Sequence, residues 1–191
     1  MAHALGIHES EPEFDYFTAV DDEVEGREES GAGMIGTVQM MSSTLYRFAS
    51  VNVDSLAENL ASQGTAVQAT AAFVNSFVNA LPTGKQNTFA HNTLPELVYI
   101  TVSDQRSVSL VNAFENPVKA TKTLGRRQVG AQALANEISE IKRAYGFEPQ
   151  ASFVIALGDL NEPFEGLAES VSLHELEDKI IQTVQSLLSE S

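Results

Sequence analysis

Four histidines, a crowd of carboxylates and one polar basic turn are the residues of this 191-residue chain that could do chemistry. His3, His8, His91 and His174 show no H-E-x-x-H or other tight spacing that sets two imidazoles on one face for a metal. His3 and His8 stand too far apart for adjacent ligands, and His174 falls in the acidic first turn of an expected helix, a solvated place. Asp21, Asp22, Glu23 and Glu25 lie together, but paired-carboxylate catalysis needs two groups at fixed separation with pKa values pushed apart. A glycine-rich acidic tip supplies neither. There is no G-x-S-x-G elbow and no cysteine, which removes a serine nucleophile of that type, thiolate metal sites and disulfides. The residues ask for no enzyme and no cofactor.

The turn is different. In Gly84-Lys85-Gln86-Asn87-Thr88-Phe89, Lys85 offers a point charge to a phosphate, and Gln86, Asn87 and Thr88 can donate to phosphate or sugar oxygens. Gly84 permits close backbone approach. Phe89 could stack on a base, or enter the following strand as a core residue. The net charge of −15 opposes a polyanion, yet it is uneven. Between Glu9 and Ser30 ten acids face one base, Arg27, whereas Lys85 to Arg127 carries six bases against three acids and is net +3. Lys119, Lys122, Arg126 and Arg127 form a second basic surface, open to RNA, a neighbouring protein or solvent.

Elements must hold these groups. Ala2 to Ile7 reads as a short buried strand; Phe14 to Val20 and Met34 to Met41 read as the two sides of a long projecting hairpin whose tip is the acidic segment 21–33. Asp54 is the expected cap of a helix over 55–61, and Thr65 that of a second bearing Val67, Ala71, Val74, Val78 and Leu81. Pro82 to His91 is expected as a loop, Leu97 to Val102 and Ser107 to Phe114 as strands, and about Val129 to Tyr145 as a helix. Ala151 to Leu157 is apolar nearly throughout, as a central strand is, and Ser172 with Glu175 forms a capping box for a final helix carrying Leu176, Ile180, Val184 and Leu187. The order predicts one α+β domain over 1–191, a mainly antiparallel sheet with packed helices and a hairpin insertion at about 9–40. Gly31-Ala32-Gly33-Met34-Ile35-Gly36 has G-x-G-x-x-G spacing, but Thr37 to Met41 continues it as a strand rather than as a phosphate-binding helix. No run approaches the ~20 apolar residues of a membrane span, and neither membrane nor secretion is indicated. A cytoplasmic protein is expected.

Four segments in order resemble the CasC-type backbone subunits of type I-E CRISPR Cascade. They are Ala2-His3-Ala4-Leu5 with Phe14-Asp15-Tyr16-Phe17-Thr18-Ala19-Val20-Asp21-Asp22; Gly31 to Thr37 leading through Ser43 to Ala49 and on to Leu56-Ala57-Glu58-Asn59-Leu60; Leu81 to Ala90; and Ser109 to Val118. The resemblance covers nearly the whole chain and only the C-terminal half of the family's length; Met40-Met41 departs from its more polar pair. It implies an incomplete RRM-like (ferredoxin-like) palm with a β-hairpin thumb, and a non-catalytic subunit that coats guide RNA (crRNA) sequence-independently. Thr18, Gly84, Lys85, Gln86, Asn87, Thr88, Asn116, Lys119 and Lys122 become the implied RNA contacts. Identical subunits stacked in a filament, other Cascade subunits and a target DNA strand become the implied partners. The loss of a palm strand would leave an open sheet edge. A protein-interaction module without RNA contact and a divergent metal-dependent nuclease are the rival readings.

Overall fold

The computed structural model describes residues 1–19 and 34–190, so the expected acidic tip lies outside the described residues. In chain order come β1 (Leu5–Gly6), β2 (Glu13–Ala19), β3 (Met34–Met40), β4 (Leu45–Tyr46), α1 (Val53–Leu60), α2 (Gln63–Asn79) and the one-turn α3 (Gln86–Phe89). They are followed by β5 (Leu97–Val102), α4 (Arg126–Tyr145), β6 (Ala151–Ala156), β7 (Glu169–Ser170) and α5 (Leu173–Glu190). The class is α+β. The expected continuous sheet is instead three small ones among the described residues: β1 with β4, β2 with β3, and β5-β6-β7.

The third sheet carries the core. β6 lies at its centre, antiparallel to β5 and parallel to β7, as its nearly unbroken apolar sequence predicts for a strand covered on both faces. Phe153 and Ile155, with Ile100 and Val102 beside them, meet Val67, Ala71, Leu176, Ile180 and Val184 of α2 and α5. On the opposite face Val154 and Tyr99 meet Ala131 and Ala135 of α4. The connection 157–168 folds back beneath α4, filling the gap with buried Leu160 and Phe164. Burial raises the Tyr99 hydroxyl pKa, partly offset by its bond to Ser152.

Helix ends follow hydrogen bonding. Ser172 and Glu175 form the expected box: Ser172 N–H donates to Glu175 Oε2 at 2.8 Å, and Glu175 N–H to Ser172 Oγ at 3.3 Å. The expected caps Asp54 and Thr65 are corrected to Asn52 and Ser62. Each holds the extended backbone a cap requires and accepts an orphan amide, from Ser55 at 2.9 Å and from Thr65 at 3.2 Å. Helix α4 begins at Arg126 rather than about Val129, because Gln128 Oε1 accepts the Gly125 N–H at 2.9 Å. Ser107 to Phe114 is no strand: it ends in a 3₁₀ turn, Val111–Phe114. Its Leu110 N–H is taken by the Tyr46 hydroxyl at 3.0 Å, and the Phe114 ring leans on that of Tyr46. The buried strand expected at Ala2 to Ile7 shrinks to two exposed residues, with Ile7 alone inside.

Candidate nucleic-acid interface

Strands β2 and β3 pair over seven residues, from Glu13 against Met40 to Ala19 against Met34, and pack chiefly against each other. This two-stranded arm matches the two expected flanks of the hairpin. Side chains alternate across it, so Phe14, Tyr16 and Thr18 share one face with Gln39 and Thr37. Phe14 and Tyr16 are 60% and 72% exposed, and Thr18 is exposed as well. On the other face Phe17 lies across Gly36, where an added Cβ would sit 2.4 Å from its ring. Glycine there is a packing requirement.

The arm grows from a root of hydrogen bonds. Ile7 N–H donates to Thr44 O at 3.0 Å, extending the β1–β4 ladder, and Ser10 Oγ donates to Ser42 O at 2.8 Å. Thr44 N–H donates to His8 Nε2 at 3.0 Å while His8 Nδ1 lies 2.7 Å from Glu9 O. Both ring nitrogens of His8 are therefore occupied in structure. Behind the root, Gly130 of α4 lets Ile7 approach; a Cβ there would lie 3.1 Å from Ile7 Cδ1. A groove of about 520 Å³ opens beside it, with Leu5, Tyr46, Asn112, Phe114 and Glu115 among its walls.

Two basic segments join this root at its two ends. At the arm-proximal end Val118 N–H donates to Ile7 O at 2.8 Å and its side chain is buried, which leaves Asn116 and Lys119 exposed on either side. Beyond it Thr121 Oγ1 accepts Leu124 N–H at 2.9 Å, and Lys122 is exposed within that turn. At the other end Arg47, just past β4, donates to Ala80 O at 2.8 Å, the residue from which the Leu81–His91 segment departs.

The turn at Lys85 is exposed, and it is more ordered than the expected loop. Lys85 adopts left-handed dihedrals (φ 58°) and caps α3, with Thr88 and Phe89 amides both donating to its carbonyl at 3.0 Å. His91 Nε2 lies 3.1 Å from Pro82 O and closes the loop's ends. Asn87 and Thr88 are exposed and Gln86 is half-buried. Around Gly84 an added Cβ meets nothing within 4 Å, so the fold itself does not require glycine there. Phe89 enters no strand. It is half-buried in α3, with Lys85 Nζ 5.9 Å above its ring.

Among the described residues, Lys85, Lys119, Lys122 and Arg126 have no ion pair, whereas Arg127 is bound to Glu96 at 2.6 Å. Arg127 is thus partly neutralised within the second basic surface. Among those residues no group of three or more His, Asp or Glu side chains gathers as a metal site, and no helix is long and apolar enough to cross a membrane. Sequence reasoning passed over Arg47 as a site residue. It had a signal: Arg47 is the sole Lys or Arg between Arg27 and Lys85.

A comparison with curated proteins gives no match. Solved structures do match. One, a "CRISPR RNA-guided surveillance complex", aligns with a TM-score of 0.82 and 32% identity over 95% of this chain and 68% of the other. Another, a "CRISPR RNA-guided surveillance complex, pre-nicking", aligns with a TM-score of 0.78 and 31% identity over 96% of this chain and 49% of the other. The chain therefore spans about two thirds of one relative's length and about half of the second's. The family model described as CT1975-like protein matches residues 1–179. The CRISPR-associated kinship read from four sequence segments is borne out, and the chain belongs to the CT1975-like protein family.

Proposed function

We propose that this chain is a non-catalytic backbone subunit of a type I-E CRISPR surveillance complex that holds guide RNA by its phosphates. The observation that carries the reading is the placement of exposed cations that have no ion pair among the described residues. Lys85 and Lys119 lie in segments tied to opposite ends of the root from which the aromatic arm rises, on a chain whose net charge is −15. Local positive charge on an acidic body selects a polyanion at one place and repels it elsewhere. Lys85, Lys119 and Lys122 serve phosphates; Gly84, Gln86, Asn87, Thr88, Asn116 and Thr18 supply backbone approach and hydrogen bonds. Phe14 and Tyr16 offer ring faces to unstacked bases, a contact typically worth ~1–3 kcal/mol and indifferent to base identity. Such contacts suit a protein that accepts any guide. Stacking on identical copies, association with other subunits and a target DNA strand, an RRM-like palm and a cytoplasmic setting complete the proposal.

Lys85→Glu in the assembled complex tests it. If each subunit neutralises about three phosphates, binding follows log[salt] with a slope near −2, from ~0.7 per single-strand phosphate. The variant is expected to weaken guide binding and flatten that slope by ~0.7 per subunit. Unchanged affinity with an unchanged slope rules the turn out. Guide cleavage on adding divalent metal would overturn the non-catalytic assignment. The acidic net charge and the exposed Leu94 and Leu157 favour one second reading, a protein-interaction module, in which RNA binding is absent at every salt concentration.

A further inference from the structure

We infer that Arg47 is a positioning residue: it latches the Lys85 loop to the root of the arm, so that loop and arm meet one single-stranded polynucleotide backbone in fixed register. The inference rests on the RNA reading above for its ligand and on geometry alone for the latch. Helix α2 ends at Asn79 with Ala80 as its C-cap, and its last turn contains no basic residue. Its C-terminal carbonyls carry the negative end of the helix dipole. Arg47 supplies the missing cation from outside the helix, donating from Nη1 to Ala80 O at 2.8 Å. Its guanidinium carbon sits 4.5 Å over the Phe77 ring centroid, one turn earlier on the same helix. A planar guanidinium can lie flat on a ring while donating in its own plane; an ammonium has no plane to stack.

The other side of the latch is tied by backbone hydrogen bonds. Arg47 directly follows β4, which is paired with β1, and Ala2 N–H donates to Phe48 O at 2.9 Å on its far side. Past Ala80 the loop begins at once, closed on itself by His91 and Pro82 and made firm by the α3 turn. Arg47 thus holds the loop's first foot, its charge engaged by a carbonyl and a ring at a half-buried position. That distinguishes it from the exposed Lys85. Removing it frees the loop's first foot, so that the loop shifts relative to the arm and its one-turn helix opens more often.

Hydrogen exchange on the full chain tests the latch, with Arg47→Gln and Arg47→Lys. In Arg47→Gln the Ala80, Thr88, Phe89 and Ala90 amides should exchange about tenfold faster, as expected for loss of a charge-assisted hydrogen bond, while β5 and β6 amides keep their rates. Should Arg47→Gln fail to fold, Arg47→Lys carries the comparison, with a rise of about threefold because the stacked fork is lost. Unchanged exchange at these amides in the folded variants overturns the latch. Guide retention in the assembled complex tests the register: Lys85→Gln should cost less in the Arg47→Gln background than in wild type. Strictly additive losses would mean that Arg47 acts on RNA independently and overturn the coupling. A looser loop with guide retention unmoved in every variant would keep the latch and sink the RNA reading instead.

Discussion

At the scale of single residues, the site and the scaffold are distinguished by what each charge touches. Among the described residues Lys85 has no ion pair, and it adopts a left-handed conformation that costs a non-glycine residue roughly 1–2 kcal/mol, whereas Arg127 is bound to Glu96. Glu175 belongs to the scaffold: the Ser172 N–H first, then the Ser172 hydroxyl, hold its carboxyl below the ordinary glutamate value. A carboxylate whose folded pKa is lowered stabilises the fold above its unfolded pKa, and that contribution is lost as pH falls through the folded value. Glu175→Gln still accepts the amide hydrogen at every pH. Thermal melts from about pH 7 to about pH 3 should therefore show wild type ahead near neutrality and the difference closing across the acid range; a constant gap would contradict it. The Ser172–Glu175 box was legible in sequence because its partners are three residues apart. The pairing of Arg47 with Ala80 was not, since it spans 33 residues and depends on where β4 meets α2.

At the scale of elements, periodicity was readable and boundaries were not. Val67, Ala71, Leu176, Ile180 and Val184 recur at helical spacing and do form the seam between α2 and α5. Ile180→Ala should cost about 2–5 kcal/mol, measured as the shift in urea midpoint at constant slope, because a fully buried side chain leaves a cavity. A loss under about 0.5 kcal/mol would mean that the seam is loose. The caps were misplaced because Asn52, Asp54, Ser62 and Thr65 can all offer an acceptor oxygen, and backbone conformation chooses among them. Ser107 to Phe114 misled for another reason: β propensity expresses fit to a neighbouring strand, and Tyr46 claims this segment with a hydroxyl and a ring. The Lys85 turn could be found from residue types alone, whereas its left-handed geometry and the lysine covering Phe89 could not.

At the scale of the whole molecule, the described sheets are small, and β5 forms one outer edge of the three-stranded sheet. Leu97-Val98-Tyr99-Ile100-Thr101-Val102 has no charge and no proline, the usual defences of an edge. Sedimentation should show self-association of the isolated chain rising with concentration, and Thr101→Lys, at an exposed position on that strand, should suppress it; equal mass for both at all concentrations would exclude pairing through this edge. The arm has a different consequence. An isolated two-stranded ribbon is at best marginally stable in water, and this one presents rings outward instead of burying them. Its firmness must then come from whatever it presses upon. Engagement of the arm should carry the negative heat-capacity change of apolar burial, so that a free arm is a slack finger and an engaged one a clenched one.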